Sequence, residues 1–299
     1  MDFKTLSVAR YRFIFQVSEP IFLPEYAGST LRGVFGRSLR KICCMTKLEN
    51  CKTCPLYRSC PYTAIFETPA PLEHQVQKFS QVPNGYIIEP PKWGERVYQQ
   101  SEKLAFDVVL FGRLLNQLPL ITFAFKRAFE YQVGKGKALL VDLRHNDQSI
   151  LVNDHIIEHN AQIELPGNLS SSLCLHFETP LRLQENGQPI GEKKIKINRL
   201  LLGLAKRIML LSEFHDKPIS LNFEQLKQGI TEIEDHKQLY WQDWTRYSSR
   251  QNQKMKLGGL VGNWALNNVP EDWQQLIYMG QWLHVGKNAT FGLGKYQLL

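Results

Sequence analysis

Residues 11–23 read YRFIFQVSEPIFL, and residues 172–183 repeat the pattern as SLCLHFETPLRL. Each stretch alternates apolar and polar residues, reaches a proline and resumes as a short apolar run. This pattern is typical of a strand with one buried face. Pro180 follows Pro20 by 160 residues. The similarity therefore predicts that the chain contains the same opening strand twice.

The ends of the two halves repeat as well. GKGKALLV begins at Gly134, and GLGKYQLL begins at Gly292, 158 residues later. Two matches at nearly the same offset favour a duplicated unit over a chance resemblance. Each unit is then expected to contain an opening strand, a helix, further strands and a Gly-x-Gly turn into a closing strand.

Three internal segments have helical features. Residues 30–43 and 198–214 each place apolar side chains on one helical stripe, and residues 106–129 predict a further helix that is interrupted by Pro119. Strands and helices thus alternate within each half, which predicts two α+β units. A cluster of turn residues at 165–172 marks the boundary. We therefore expect an N-terminal module at 1–165 and a C-terminal module at 166–299.

The composition is that of a folded, basic protein. The chain has 299 residues, of which 43% are hydrophobic and 21% are charged, and this excludes a disordered or collagen-like chain. No apolar run approaches the roughly 18 residues of a membrane-spanning helix, and the N-terminus lacks the apolar region of a secretory signal. We expect a cytoplasmic protein with no membrane partner. The net charge of +8 favours a polyanionic partner such as a nucleic acid.

Five of the six cysteines lie between positions 43 and 60. Cys51 and Cys54 form a C-x-x-C turn, and Cys60 with either Cys43 or Cys44 completes four ligands. Four thiolates at this spacing are typical of a closed structural zinc site. Cys44 is preferred because only one of two adjacent side chains can easily point at the ion. The expectation is a structural zinc on four thiolates, and the alternative is a set of reduced thiols without metal.

Several motifs, taken in order, resemble a known family. AGSTLRGVFG at 27–36 resembles the Gly-Ser-x-Leu-Arg-Gly signature of the RAMP superfamily of CRISPR RNA-binding proteins. LHVGKNATFGLG at 283–294 resembles the glycine-rich loop of that superfamily. WQDWTRYSSRQ at 241–251 and LGGLVG at 257–262 are similar to one branch, the precursor-crRNA-processing endoribonucleases. The resemblance covers nearly the whole chain, and the joint order of the motifs makes it specific.

The resemblance implies an α+β fold of two tandem ferredoxin-like (RAMP- or RRM-like) modules, with the cysteine knuckle at 43–60 inserted in the first. It also implies an endoribonuclease that cuts repeat RNA in precursor transcripts without a catalytic metal. In that reaction the 2′-hydroxyl attacks the adjacent phosphate and leaves a 2′,3′-cyclic phosphate and a 5′-hydroxyl.

The implied partners are CRISPR repeat RNA or crRNA. The alternative is a non-catalytic RAMP subunit that binds crRNA beside other CRISPR effector subunits. A small-molecule enzyme with a nucleotide cofactor is disfavoured, because neither a G-x-G-x-x-G motif nor a P-loop follows a strand and opens a helix. No small-molecule cofactor is expected.

Cleavage of this kind needs a base, an acid, and cations or backbone N–H groups for the phosphate charge. Many such nucleases carry a catalytic histidine in the first helix, where this chain has none. His284 is the substitute, with Lys287 beside it, and the alternative is a structural histidine that packs the loop. Tyr26 is a candidate for orienting the 2′-hydroxyl. Three glycines of the loop at 286–294 are expected to let backbone N–H groups approach phosphates: Gly286, Gly292 and Gly294.

Basic residues supply the other candidates for RNA binding. They are Arg32, Arg37 and Arg40 in the first helix, Lys193 and Lys194 before a later helix, and Arg246, Arg250 and Lys254, which share a face if their stretch is helical. Each set has the alternative of a solvated charged surface. Histidines in polar contexts are expected at the surface, namely His74, His145, His155, His159, His215 and His236.

Overall fold

The chain folds into two units, each built on one main sheet with helices packed against it. The computed structural model describes residues 5–71, 82–248 and 253–299. The N-terminal unit comprises Arg10–Asn160 with Phe214–Asp216. The C-terminal unit comprises Ala161–Glu213 and Lys217–Leu299 with the described residues before Arg10.

The N-terminal unit has the strand order of a ferredoxin-like module. Its strands are β1 (Val8–Glu19), β2 (Ile21–Leu23), β3 (Tyr86–Glu89), β4 (Arg96–Tyr98), β5 (Lys103–Phe111), β6 (Lys137–His145) and β7 (Gln148–Ser149). Its helices are α1 (Gly28–Cys43), α2 (Pro61–Phe66) and α3 (Leu118–Tyr131), with short 3₁₀ turns at Cys51–Thr53 and Gly112–Gln117. The main sheet runs β3-β5-β1-β6-β7, and β2 pairs with β4. Without the terminal β7, this is a β-α-β-β-α-β module with its second, third, first and fourth strands side by side.

The C-terminal unit repeats that order. Its strands are β8 (Leu173–Leu181), β9 (Glu234–Ser248), β10 (Gln253–Asn267) and β11 (Tyr296–Leu298). Its helices are α4 (Ile197–His215), α5 (Phe223–Ile230) and α6 (Glu271–Leu283), with a 3₁₀ turn at Ala289–Phe291. The sheet runs β9-β10-β8-β11, again second, third, first, fourth, with α5 as an addition. The predicted α+β fold of two tandem ferredoxin-like modules is confirmed.

Three short two-stranded ladders complete the described elements. They pair Thr5–Leu6 with Ile163–Glu164, Leu151–Val152 with His155–Ile156, and Gln184–Glu185 with Gln188–Pro189. Among the described residues, no helix combines the length and the apolar character needed to cross a membrane.

Alternation along β1 builds the core of the N-terminal unit. Phe13 and Phe15 are buried on one face of the sheet, and Phe15 stacks on Phe129 of α3 with ring centroids 3.9 Å apart. Phe35 of α1 stacks on Phe125 of α3 at 4.6 Å. Aromatic pairs bury large areas and prefer defined geometries. This aromatic layer therefore fixes α1 and α3 against one side of the sheet and leaves the other side open.

The helix predicted over residues 106–129 is wrong in its first half. Residues up to Phe111 form β5, whose alternate side chains are buried, and α3 begins only at Leu118. Pro119 lies in the first turn of α3. In the first turn a backbone N–H has no partner within the helix, so a proline costs no hydrogen bond there, and its fixed φ suits a helix. Pro119 therefore begins α3 rather than interrupting it.

Candidate functional site

The glycine-rich loop at 286–294 is a packed turn in which several amides donate to protein carbonyls. Gly292 donates its N–H within the loop at 2.8 Å, and Gly294 donates to the carbonyl oxygen of Pro180 at 3.1 Å. Both glycines have positive φ, and a Cβ on Gly294 would collide with the carbonyl of Val285. Glycine is needed here for close packing. Two of the three amides predicted to hold RNA phosphates are therefore bonded to protein carbonyls.

His284 is buried at the end of α6. Its exposed fraction is 0%, and its Nδ1 lies 3.2 Å from the carbonyl oxygen of Leu293 across the loop. Its own N–H donates to the carbonyl of Gly280 at 2.8 Å. The ring thus ties the end of the helix to the glycine-rich loop. A buried ring cannot reach an RNA hydroxyl, so the geometry favours the alternative of a structural histidine.

Tyr26 is also buried, in the N-terminal unit. Its ring is 3% exposed and lies 4.9 Å from the ring of Trp93. Burial raises the pKa of Tyr26 well above its usual value. These surroundings keep the hydroxyl protonated and away from solvent, and they do not fit the predicted contact with a ribose.

Three predicted lysines of the C-terminal unit are exposed. Lys287 stands at the start of the glycine-rich loop, where its N–H donates to the carbonyl of Arg182 at 2.8 Å. Lys193 and Lys194 lie in the turn before α4. Exposed ammonium groups on turns suit contacts with a phosphate backbone.

The three arginines of α1 have different surroundings. Arg32 holds its guanidinium 4.3 Å over the ring of Phe66. Arg40 donates to the carbonyl oxygen of Leu48 at 2.6 Å. Arg37 is exposed. Arg37 therefore fits the predicted RNA contact best, because the other two side chains hold the fold of the N-terminal unit.

The stretch that carries Arg246 and Lys254 is a hairpin, not a helix. The fifteen-residue strands β9 and β10 pair without a break, with Arg246 opposite Met255 and Tyr247 opposite Lys254. The condition of a helical stretch, under which these residues would share a face, is therefore not met at Arg246 and Lys254. Arg250 lies outside the described residues, as do the side chains of Arg246 and Lys254.

Two histidines expected at the surface are buried instead. His145 is 9% exposed, and its ring nitrogens lie 3.1 and 3.0 Å from main-chain carbonyl oxygens. His215 is 2% exposed, with Nε2 at 2.7 Å from the carbonyl of Pro83. Buried imidazoles need such partners, and here the partners are main-chain carbonyls distant in sequence, which sequence patterns do not reveal. His74 lies outside the described residues.

A row of polar side chains crosses the open face of the C-terminal sheet. The register places four residues side by side, one on each strand: Gln238, Asn263, His176 and Gln297. The neighbours of His176 along β8 are buried, while His176 itself is partly exposed. Since side chains alternate between the faces of a strand, the row lies on the side opposite the core.

His176 is held in a defined orientation within this row. Its Nδ1 lies 2.7 Å from Oδ1 of Asn263. In the tautomer that donates from Nδ1 to this oxygen, Nε2 carries the lone pair. In a histidine that acts as a general base, one ring nitrogen is usually held by a hydrogen bond and the other accepts the proton. Sequence reasoning missed it, although its place between Leu175 and Phe177 in an alternating strand indicates an outward side chain.

The predicted zinc ligands gather around one cavity in the N-terminal unit. Its walls include all four preferred cysteines, Cys44, Cys51, Cys54 and Cys60. Cys43 is not part of these walls, and burial raises the pKa of its thiol to about 11. The pKa of Cys44 is lowered, chiefly by the N–H of Lys47, which donates to its sulfur.

Two family models match the chain, one in each half. Residues 6–165 match the model AF_1859_N, an N-terminal domain. Residues 175–296 match the model of the CRISPR-associated endoribonuclease Cas6. Residues 175–296 therefore form a Cas6-family domain. The resemblance to the precursor-crRNA-processing branch is confirmed, and the Cas6 match includes His176 and Asn263.

Solved Cas6 structures share the fold. A product complex of Thermus thermophilus Cas6 has a TM-score of 0.60, with 12% identity over 98% of this chain and 100% of that chain. A second Cas6 product complex has a TM-score of 0.56, with 15% identity over 98% of this chain and 99% of that chain. A partial Cas6-RT-Cas1–Cas2 complex has a TM-score of 0.58, with 13% identity over 98% of this chain and 46% of that chain. No curated protein matches the chain significantly.

Proposed function

We propose that this chain binds the repeat segment of a CRISPR precursor transcript and cleaves it without a metal ion. The observation that carries the proposal is the match of residues 175–296 to the Cas6 endoribonuclease model. The net charge of +8 supports a polyanionic substrate. The solved product complexes with the same fold are those of Cas6 proteins.

The proposed chemistry uses a nucleophile that is part of the RNA. The 2′-hydroxyl oxygen attacks the adjacent phosphorus while its proton passes to a base. The bond between phosphorus and the 5′-oxygen breaks, and that oxygen takes up a proton. The products are a 2′,3′-cyclic phosphate and a 5′-hydroxyl. Proton transfer and stabilisation of the phosphate charge are sufficient for this reaction.

His176 is the residue that we assign as the base. Its Nδ1 is bound to Asn263, which leaves Nε2 on the open, polar side of the sheet as the proton acceptor. Gln238 and Gln297 flank it in the same row and can bind ribose hydroxyls or base edges. The buried His284 then acts indirectly, by holding the glycine-rich loop.

Phosphate binding is assigned to cations on exposed turns and helix surfaces. Lys287, Lys193 and Lys194 in the C-terminal unit and Arg37 in the N-terminal unit are exposed. We also assign to this role Arg246 of β9, Lys254 of β10 and Arg250, which lies outside the described residues. Such contacts make affinity depend on salt, whereas the polar row contributes to the recognition of RNA rather than DNA.

The direct test is cleavage of end-labelled repeat RNA from the chain's own CRISPR array in the presence of EDTA. We expect cutting at one position, with a 2′,3′-cyclic phosphate at the 3′ end of the upstream product. RNA ligase should join that end to a 5′-phosphate only after the cyclic phosphate has been removed. RNA with a single 2′-deoxy substitution at the cut position is the matched control, and it is expected to bind without being cut. Binding of unmodified repeat RNA without cutting would indicate a non-catalytic RNA-binding subunit, and loss of cutting in EDTA that added Mg²⁺ restores would overturn the metal-free mechanism.

A further inference from the structure

The cysteine cavity lies in the N-terminal unit, between the end of α1 and the start of α2, and none of its lining residues is among those assigned to RNA cleavage. Four of its walls are the side chains of Cys44, Cys51, Cys54 and Cys60. All four residues are partly exposed, and none is in a disulfide. We infer that these four cysteines bind one zinc ion, which fixes the segment that joins the two helices.

The structure separates the two adjacent candidates for the first ligand. Cys43 is the last residue of α1, and Cys44 leaves the helix with an extended backbone at φ −80° and ψ 106°. This change of direction turns the second side chain toward the cavity, whereas Cys43 does not line it. The geometry therefore assigns Cys44 as the ligand and leaves Cys43 as a matched, non-ligating thiol.

Backbone hydrogen bonds hold the other three cysteines in turns. The N–H of Cys54 donates to the carbonyl of Cys51 at 3.1 Å, which closes the C-x-x-C turn. The side chain of Asn50 accepts from the N–H of Lys52 at 3.0 Å and caps that turn. Cys60 is the residue before the first turn of α2. Two ligands thus come from one tight turn, and the other two come from helix ends, which is a common frame for structural zinc.

A cation stands beside the proposed site. Arg40 lines the same cavity as the four cysteines. It also donates to the carbonyls of Leu48 and Glu49 at 2.6 and 2.7 Å. Four thiolates carry more negative charge than one Zn²⁺ neutralises, and a guanidinium in this position offsets the excess. These contacts assign Arg40 to the cysteine site rather than to RNA.

The segment has few other means of stabilising itself. Its large apolar side chains remain in water, with Met45 79%, Leu48 44% and Leu56 36% exposed. A segment that buries so little apolar area gains little to offset the entropy of ordering its chain. A metal ion that draws four side chains together supplies that free energy directly.

Zinc binding requires the sulfurs to move inward. Within residues 5–71, 82–248 and 253–299, no three metal-binding side chains are yet arranged to hold an ion. The partial exposure of the four cysteines leaves room for this rotation. Four sulfur ligands with tetrahedral geometry suit zinc or iron. A closed set of four thiolates leaves no position for a reactive water, so the ion is structural.

The test is the metal content of the full chain, purified from cells grown with added zinc and measured by mass spectrometry. We expect one zinc per chain in the wild type and in Cys43→Ser, and loss of zinc in the double variant Cys51→Ser/Cys54→Ser. Arg40→Gln is expected to weaken zinc binding by about tenfold or more, because it removes an outer-shell partner. Metal content is read without any RNA, so its outcome is independent of the cleavage assay.

Cobalt substitution of the wild type keeps the test decisive if the serine variants do not fold. Replacing zinc with Co²⁺ is expected to give the visible absorption of a tetrahedral four-thiolate site, and the same spectrum in Cys43→Ser. A wild-type chain that binds neither ion after reduction and reconstitution would overturn the proposal, as would iron in place of zinc. Equal loss of the spectrum in Cys43→Ser and Cys44→Ser would overturn the choice of ligand.

Discussion

The open faces of the two sheets differ in chemistry although the two units share one strand order. On the N-terminal sheet, Arg12 forms two hydrogen bonds with Asp107 at 2.9 and 3.0 Å, and Arg144 bonds to Asp142 at 2.6 Å. Arg12 and Arg144 face each other in register on β1 and β6. The C-terminal sheet carries the uncharged row around His176 on the corresponding face.

Electrostatics explains why this difference matters for RNA. Arginines that are already bound to carboxylates have little to offer a phosphate, and the carboxylates themselves repel it. Amides and a neutral imidazole can bind hydroxyls and base edges without that repulsion. In the proposed function, the duplicated topology thus gives one face with ion pairs across its strands and one face with an uncharged row, beside which Lys295 pairs with Glu178 at 3.1 Å.

Replacing the histidine of the polar row is the strongest test of this comparison. His176→Ala is expected to lower the single-turnover cleavage rate by about 10²–10⁴-fold, the usual contribution of general acid–base catalysis, with little change in RNA affinity. Arg12→Ala, on the open face of the N-terminal sheet, is the matched control and should cleave at the wild-type rate. Wild-type cleavage by His176→Ala would refute its role as the base.

A second histidine variant separates catalysis from packing. His284→Ala removes a fully buried ring and its contact with Leu293, so we expect the free energy of unfolding to fall by about 2–4 kcal/mol. Urea denaturation measures the loss. At a temperature where the variant remains folded, cleavage should stay much closer to wild type than in His176→Ala. Unchanged stability with abolished cleavage would return His284 to the reaction.

The salt dependence of binding sharpens the comparison between free and paired cations. The slope of log affinity against log salt concentration should become shallower by about 0.7–0.9 for each phosphate contact removed. We expect this change for Lys287→Ala and a larger one for the double variant Lys193→Ala/Lys194→Ala. Arg144→Ala, whose side chain is paired with Asp142, should leave the slope unchanged. A shallower slope for Arg144→Ala would show that the N-terminal face also contacts RNA.

Much of the fold could be predicted from the sequence because both units repeat strong local patterns. The alternation of apolar and polar residues before Pro20 and Pro180 indicates which side chains of each strand are buried. The Gly-x-Gly motifs indicate where each chain segment turns. The helix predicted over 106–129 is wrong at its start because a short, mainly apolar stretch can be either a buried strand or a helix, and periodicity alone does not separate the two.

The site was harder to predict because exposure depends on tertiary packing. His284 precedes a glycine-rich segment, which suggested an accessible loop. In the structure the glycines instead permit the close packing that buries His284. His176 was hidden in an apolar run, and its partner Asn263 lies 87 residues away in sequence. By contrast, the four cysteines that line one cavity were visible in the sequence, because thiolate spacing within a short segment is a local property.

The smallest expected effect is a pH-dependent loss of stability on the N-terminal face. Burial raises the pKa of Asp142, but hydrogen bonds from Arg144 and Ser149 outweigh it and hold the pKa below its usual value. A carboxylate with a depressed pKa stabilises the fold above the pKa of the unfolded chain, near 3.9, and loses that contribution as pH falls through the folded value. Asp142→Asn should therefore lower the free energy of unfolding by no more than about 1 kcal/mol at pH 7, as for other partly exposed pairs.

Denaturation of wild type and Asp142→Asn at several pH values measures this contribution. The difference between them should shrink as pH falls below the range where Asp142 is ionised. Ser149→Ala, which removes the 2.7 Å bond to Oδ1 of Asp142, should show a smaller difference with the same pH dependence. Because Asp142→Asn removes the charge that pairs with Arg144, it should also strengthen RNA binding slightly at low salt if the ion pairs are what close this face. A difference in stability that persists at low pH, together with unchanged RNA binding, would mean that packing rather than paired charge distinguishes the two sheets.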